Sequence, residues 1–304
     1  MHHAVAPADG DKPDVLFDML AARPFIVRQP DTQTVPFVFA SPHSGRLYPA
    51  RFLRQSRLSP LNLRRSEDAF VEELFSAVTE IGSPLIAACF PRAFLDANRA
   101  PAEIDPAMFD GVLDVAADIV SPRVSAGLGV IPRVVQDGAE IYREKIPPKE
   151  AMERLATFYR PYHAALARLV DASRERFGAT VLIDCHSMPS AAAAPDIILG
   201  DRYGLSAGTL VTRAAEHAFE AHGFRVARNI PYAGGYTTQL HGRPARGVHA
   251  LQIEINRALY LDEERIERGP HFETIAARLS SALRALVDYC EVPGCFSGVA
   301  HAAE

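Results

Sequence analysis

Four short stretches of this chain bring residues able to bind a metal, move a proton or grip an anion to the end of an apolar run: Ser41-Pro-His43-Ser-Gly45, Leu95-Asp-Ala-Asn-Arg99, Ile183-Asp-Cys-His-Ser187 and Gln252-Ile-Glu254-Ile-Asn256. Imidazole is a natural zinc ligand, and a catalytic zinc commonly keeps two nitrogens and a carboxylate from the protein plus a water. His43 and His186 are the candidate nitrogens. Asp184 precedes His186 by two residues, so on a strand it shares the same face and is placed to orient that imidazole. The carboxylate ligand is expected to be Asp68, with Glu67 as the alternative; both open the next helical stretch, where the chain returns toward the strand ends.

Glu254 lies between Ile253 and Ile255, where an ionised carboxylate is costly without a partner. It is either the general base of a metal-assisted hydrolysis or half of a buried ion pair with Arg257 or Arg99. Asn98 and Arg99, with Arg92, offer an amide and guanidinium forks that match the geometry of a substrate carboxylate. Gly235, Tyr236 and Thr237 sit in a glycine-rich loop able to present backbone N–H groups and hydroxyls to a ligand.

The elements that must carry these residues alternate. A short apolar strand over 36–41 breaks at Pro42, and a helical stripe at 70, 71, 74, 75 and 78 follows a Ser66 cap. A strand over 84–89 leads into a Gly-, Pro- and Val-rich excursion over 107–140, read as short strands that enclose substrate. The pattern then predicts a long amphipathic helix over 148–177, closed by Gly178 in the left-handed position, and a continuous apolar strand over 179–186. Further elements are a helix over 205–222, a strand over 224–228, a loop over 231–247, a strand over 249–255 and a helix over 263–289.

Such alternation predicts an α/β protein whose largely parallel sheet is covered on both faces. Ligands in such folds bind beyond the carboxyl ends of the strands, where the four motifs fall. No repeat or linker divides the chain, which reads as a single catalytic domain over 1–304 with its core at about 36–290 and peripheral termini.

Composition narrows the partners. A net charge of −5 and a pI near 6.1 provide no basic field for a phosphate backbone, so nucleic acid is not expected. The acidic first twenty residues lack a signal-peptide apolar region, and no apolar run reaches the roughly 20 residues of a membrane span. A cytoplasmic location is expected, and scattered Cys89, Cys185, Cys290 and Cys295 suit a reducing compartment. Cys290 and Cys295 alone do not make a structural zinc site.

Taken together, Ser41-Pro-His-Ser-Gly45, Asp96-Ala-Asn-Arg99, Gly127-Leu-Gly-Val-Ile-Pro132, Asp184-Cys-His-Ser187, Pro231-Tyr-Ala-Gly-Gly-Tyr236 and Leu251-Gln-Ile-Glu-Ile-Asn-Arg257 resemble the N-formylglutamate amidohydrolase family over about residues 36 to 265. The resemblance implies a phosphorylase/hydrolase-like three-layer α/β/α sandwich with a mixed sheet, similar to zinc carboxypeptidases and related deacylases. It also implies one zinc ion per chain on His43 and His186, Glu254 as general base, Arg92 polarising the scissile carbonyl, and Asn98 and Arg99 on the substrate carboxylate. The carboxypeptidase pattern has a glutamate ligand three residues after the first histidine, whereas Arg46 stands here, so Asp68 and Glu67 both remain candidates. The implied reaction is hydrolysis of N-formyl-L-glutamate to formate and glutamate, which in that family ends one route of histidine degradation. A deacylase for another N-acyl amino acid, or a metal-binding relative without turnover, are the competing expectations.

Overall fold

The computed structural model describes residues 14–290 apart from 115, 116, 119, 136, 137, 192 and 193. Seven strands form the central sheet: β1 (Phe25–Arg28), β2 (Phe37–Ser41), β3 (Leu85–Ala88), β4 (Thr180–Met188), β5 (Ile197–Gly200), β6 (Val226–Arg228) and β7 (Val248–Asn256). Their order is β1-β3-β2-β4-β7-β5-β6. The interior pairs β2 with β3, β2 with β4 and β4 with β7 are parallel, while β1 on β3 and β5 on β7 are antiparallel. The helices are α1 (Val15–Ala22), α2 (Ala50–Gln55), α3 (Pro60–Arg64), α4 (Val71–Leu74), α5 (Pro122–Ser125), α6 (Pro148–Arg154), α7 (Arg160–Phe177), α8 (Thr209–Ala221), α9 (Tyr236–His241) and α10 (Phe272–Cys290). Strands β8 (Leu261–Asp262) and β9 (Glu267–Arg268) form a small separate hairpin.

Every residue of β2, β3, β4, β5 and β7 is buried, as expected for strands covered on both sides. One face, with Phe37, Phe39, Val181, Ile183, Leu251 and Ile253, packs on α8 and α10 through Val211, Phe219, Leu279 and Leu283. The other, with Val38, Ala40, Leu182 and Ala250, packs on α7 and its surroundings through Phe94, Phe158, Tyr162 and Leu166. Helices thus cover both faces, which gives the three-layer sandwich that the family resemblance implies. The two-residue period places Asp184 and His186 on the same face as Leu182, and Gln252 and Glu254 on the same face as Ala250. That face is apolar where the strands begin and polar where they end.

A buried cation stiffens the floor of this face. Arg154 is fully buried, donates to the Phe94 carbonyl oxygen (2.9 Å) and the Tyr142 hydroxyl (2.7 Å), pairs with Glu150, and lies 4.1 Å from the Phe94 ring centroid. A buried guanidinium is tolerable only when so paired. Its bond to Phe94 ties α6 to the segment that carries Arg92, Asp96 and Arg99.

Several expected elements differ in detail. The helix predicted behind Ser66 is broken: Phe70 takes a left-handed conformation (φ 63°), α4 is a single turn, and a 3-10 turn over Ser76–Thr79 follows. Tertiary bonds win there, because Asp68 N–H donates to the His43 carbonyl oxygen (3.0 Å) and Arg257 donates to that of Glu67 (2.7 Å), which holds 67–68 away from a helical path. The 107–140 excursion has no strands among its described residues, only α5, a 3-10 turn and isolated bridges such as Val134 with Glu140. The long helix is present but widens into a π-helical turn over Leu155–Tyr159 before ending at Gly178 (φ 80°). The 231–247 loop contains α9, and the last helix begins at Phe272 because β8 and β9 take up the preceding residues. Strands β1 and β5 were not anticipated. Cys290 is buried at the end of α10, and Cys295 lies outside the described residues.

Among the described residues no helix is long and apolar enough to cross a membrane.

Candidate active site

The carboxyl ends of β2, β4 and β7 open onto a cavity of about 400 Å³ lined by His43, Asp68, Arg92, Asp96, Asn98, Arg99, Arg123, His186, Gly235, Gln252, Glu254 and Arg257, among others. Its size suits a small-molecule guest. Parallel pairing puts Asp184 beside Gln252 and His186 beside Glu254 across the β4–β7 ladder.

His43 leaves β2 into a tight turn in which Ser41 Oγ bonds Ser44 Oγ (2.9 Å). Gly45 is required by close approach, because a Cβ there would lie 2.1 Å from the Phe90 carbonyl oxygen. The imidazoles of His43 and His186, 143 residues apart in the chain, lie with ring centroids 4.8 Å apart. Asp68 Oδ2 stands 3.3 Å from His43 Nδ1 and 2.9 Å from His186 Nδ1. One ligand atom from each of these three buried residues lies within 4.8 Å of the others.

The other ring nitrogens are anchored by acids. His43 Nε2 lies 2.7 Å from Asp96 Oδ1, and His186 Nε2 lies 3.0 Å from Asp184 Oδ2. Asp184 Oδ2 also accepts from Asn98 Nδ2 (3.0 Å), so that amide and the imidazole share one acceptor. With Nε2–H donated to a carboxylate, each ring can offer its Nδ1 to a cation shared with Asp68. Asp68 in turn is fixed from behind: Arg257 donates to its Oδ1 (3.0 Å) and to Ser187 Oγ (3.1 Å). Two imidazoles and a carboxylate, each oriented by a further polar group, make a donor set suited to a divalent cation of the zinc type.

The electrostatics agree. Burial alone would lift the Asp68 carboxyl, but hydrogen bonds from His186 and His43 hold it well below the usual carboxylate range. Burial likewise opposes charge on His186, yet Asp184 and then Asp68 raise its imidazolium well above the ordinary value. Asp96, buried as well, is pulled well down by His43, Arg92 and Arg99. Asp68 and Asp96 are therefore ionised, and a cation binding here would displace the Nδ1 proton of His186 rather than their carboxyl protons.

Glu254 behaves differently. It is 6% exposed, and burial first pushes its carboxyl up to about 7, with Asp68 adding to the rise and His186, Arg92 and Arg257 opposing it. Its Oε1 accepts from Gln252 Nε2 (2.7 Å), while Gln252 Oε1 accepts from the Gly235 N–H (2.8 Å). Of the two arginines expected as alternative ion-pair partners of Glu254, Arg257 donates to Asp68 (3.0 Å) and Arg99 stands 3.9 Å from Asp96.

The sequence-predicted residues separate clearly. His43, His186, Asp68, Glu254, Arg92, Arg99, Asn98 and Gly235 all line the cavity. Glu67 does not: it accepts from Tyr48 Oη (2.7 Å) and from Arg64 Nε (3.2 Å to each oxygen), so geometry favours Asp68 as the third donor. Tyr236 and Thr237 are not among the lining residues, because α9 turns them into the protein, Tyr236 against His163 and Thr237 N–H onto Asn98 Oδ1 (2.7 Å). Tyr232, Ala233 and Gly234 line the cavity from that loop instead. Asn98 is held in its place by that bond and by Asp184, and Gly235 must be glycine because a Cβ would lie 2.4 Å from Asn98 Nδ2.

Sequence reading did not anticipate Asp96 as the partner of His43, Arg257 as the partner of Asp68, or Gln252 as the partner of Glu254. Only the last left a legible trace, since Gln252 precedes Glu254 by the same two-residue step that relates Asp184 to His186.

The family model for N-formylglutamate amidohydrolase matches residues 35–261, which contain all four strand-end motifs. The N-formylglutamate deformylase of Pseudomonas putida is 28% identical over 239 residues, covering 75% of this chain and 83% of that relative. The crystal structure of N-formylglutamate amidohydrolase from Ralstonia eutropha JMP134 superposes with a TM-score of 0.81 at 36% identity, covering 88% of this chain and 97% of that one. A gene product of Agrobacterium tumefaciens shares the fold at 17% identity, with a TM-score of 0.61 over 89% of this chain and 97% of that one.

Proposed function

The chain belongs to the N-formylglutamate amidohydrolase family, and from that premise we propose that it hydrolyses N-formyl-L-glutamate to formate and L-glutamate with a divalent cation, zinc, held by His43, Asp68 and His186. The observation that carries this reading is the convergence of two imidazoles and one carboxylate beside Glu254, which pairs with His186 across the β4–β7 ladder. When bound there, the cation supplies Lewis acidity, polarising an amide carbonyl and making a water easier to deprotonate.

The chain's own residues do the rest. Glu254 accepts a proton from the attacking water, oxygen adds to the formyl carbon, and the C–N bond breaks as Glu254 passes that proton to the departing amine. Gln252 holds the Glu254 carboxylate in one orientation through its 2.7 Å bond. Arg92, anchored through Nε by Asp96 (2.9 Å) and one-quarter exposed, shares the charge that develops on the carbonyl oxygen. Arg99 grips a substrate carboxylate, which places the amide carbon near Glu254. Asn98, whose amide is occupied by Thr237 and Asp184, positions the His186 pair rather than gripping substrate as the sequence led us to expect.

The direct test compares N-formyl-, N-acetyl- and N-succinyl-glutamate as substrates of the zinc-loaded protein. N-formylglutamate is expected to lead in kcat/KM by roughly 100-fold over the bulkier acyl groups, the discrimination that a small difference in group size is worth in a fitted pocket. Faster turnover of the acetyl or succinyl compound would make the chain a deacylase of another kind. No hydrolysis of any of the three would leave a ligand-binding relative.

Asp184 carries its own expectation. Asp184→Asn retains the shape but removes the charge that faces His186 Nε2, so zinc affinity should fall about 10- to 100-fold, measured by competition with a chromophoric chelator. Unchanged affinity would mean that Asp184 does not tune the ligand.

A further inference from the structure

We propose that Arg123 is the specificity-determining residue of the cavity, holding the side-chain carboxylate of a dicarboxylic N-acyl amino acid while Arg99 holds the other carboxylate. This inference rests on the amidohydrolase reading above and narrows its substrate class.

The arginines that line the cavity are not equally occupied. Arg92 pairs with Asp96 at 2.9 Å and Arg257 with Asp68 at 3.0 Å. Arg99 spends Nε and Nη1 on the carbonyl oxygens of Leu128 (3.0 Å) and Asn98 (2.9 Å), and its nearest acid, Asp96, is 3.9 Å away. Arg123, on the single turn of α5, stands 3.7 Å from Glu103 and is 39% exposed. That glutamate is already engaged, since its carboxylate accepts from Ser121 Oγ (2.7 Å) and the Ala100 N–H (2.9 Å).

Backbone geometry brings these two cations to one corner. Leu128 N–H donates to the Arg123 carbonyl oxygen (2.8 Å), and the Leu128 carbonyl oxygen accepts from Arg99 Nε (3.0 Å). Leu128 itself lines the cavity between them. Burial and the proximity of Arg92 and Arg123 lower the pKa of Arg99 against the pull of Asp96, as expected where cations crowd. Of the cavity acids, Asp68 and Asp96 face histidines and Arg257 or Arg92, and Glu254 accepts from Gln252 Nε2 (2.7 Å). A corner with two guanidiniums, whose nearest carboxylates, Glu103 and Asp96, are already engaged by closer donors, suits a guest that brings two of its own. N-Acylglutamate does so, and its α- and γ-carboxylates give each fork one partner.

The test compares N-formyl-L-glutamate with N-formyl-L-glutamine, which has the same shape but a neutral amide in place of the γ-carboxylate. Wild type is expected to favour the diacid by about 100-fold in kcat/KM. In Arg123→Gln that ratio should fall to near one, with Arg123→Lys between them because an ammonium restores charge without the fork. Urea midpoints of the variants report whether they remain folded. A turnover-independent arm measures binding of both compounds by calorimetry to zinc-loaded Glu254→Gln, with and without Arg123→Gln, where the diacid alone should weaken by about 100-fold. Equal losses for both compounds, or an unchanged ratio, overturn the proposal. If wild type hydrolyses neither compound while the calorimetric selectivity still depends on Arg123, the amidohydrolase reading fails and the role of Arg123 stands.

Discussion

Replacing Glu254 by glutamine is expected to lower kcat by about 10³- to 10⁴-fold while zinc content stays at one ion per chain. Glutamine keeps the volume and an oxygen that can still accept from Gln252, but it cannot take a proton from water or return it to the amine. Because Glu254 is not one of the three converging donors, the cation should be held as before. A fully active Glu254→Gln enzyme would remove this residue from the mechanism, and loss of zinc together with rate would make it a ligand instead.

The same substitution has a signature in the metal-free protein. Burial raises the Glu254 carboxyl from an ordinary 4.5 to about 7, so between those values the folded chain holds a proton that the unfolded chain has released. Folding stability from this group is therefore fully present below about 4.5 and lost as pH rises through about 7, a total of about 3 kcal/mol. Asp68 and Asp96, held well down, act in the opposite sense and only at lower pH. Urea unfolding in chelator at pH 5 and pH 8 should show Glu254→Gln gaining stability relative to wild type at the higher pH. A difference that does not change with pH would mean Glu254 is not forced toward neutrality. In the zinc-loaded enzyme the nearby cation draws this carboxyl down, so the acid limb of kcat/KM falls below 7.

His186→Ala should cost the site its metal. With one nitrogen removed, two donors remain, and zinc should fall below about one-tenth of an ion per chain after dialysis against a mild chelator, with kcat/KM reduced at least ~10⁴-fold. The substitution also takes one partner each from Asp68 and Asp184, which face His186 at 2.9 and 3.0 Å, and breaking a buried charged pair costs about 3–5 kcal/mol. His43→Gln offers a second route to the same outcome with a smaller void. Circular dichroism distinguishes a folded apoprotein from an unfolded one. Either folded variant binding zinc as wild type does would dismiss the shared ion.

Much of this was legible in the letters. Apolar runs ending in Pro42-His43 and Asp184-Cys-His186 mark strands that emerge into a site, because a covered sheet needs continuous hydrophobic strands and can place polar groups only where they end. The two-residue period alone puts Asp184 behind His186 and makes Glu254 an acid among isoleucines. Gly178 announces the end of α7. These are local signals, set by propensity and periodicity within a few residues.

What the letters could not decide are relations between distant segments. The choice of Asp68 over Glu67 depends on which adjacent side chain faces inward, and that is fixed by a left-handed Phe70, a bond to the His43 carbonyl and the hold of Arg257 from 189 residues away. Tyr236 and Thr237 looked like ligands in a loop, but α9 turned them inward and left Tyr232 to Gly235 on the wall. The pairing of His43 with Asp96 joins residues 53 apart, and that of Arg123 with the cavity arises from a turn pinned through Leu128. The sequence by itself determined which groups end the strands, because that is a matter of local alternation. Only the tertiary structure decided which of them face one another, because that depends on the order and register of the sheet and on buried charges finding their partners.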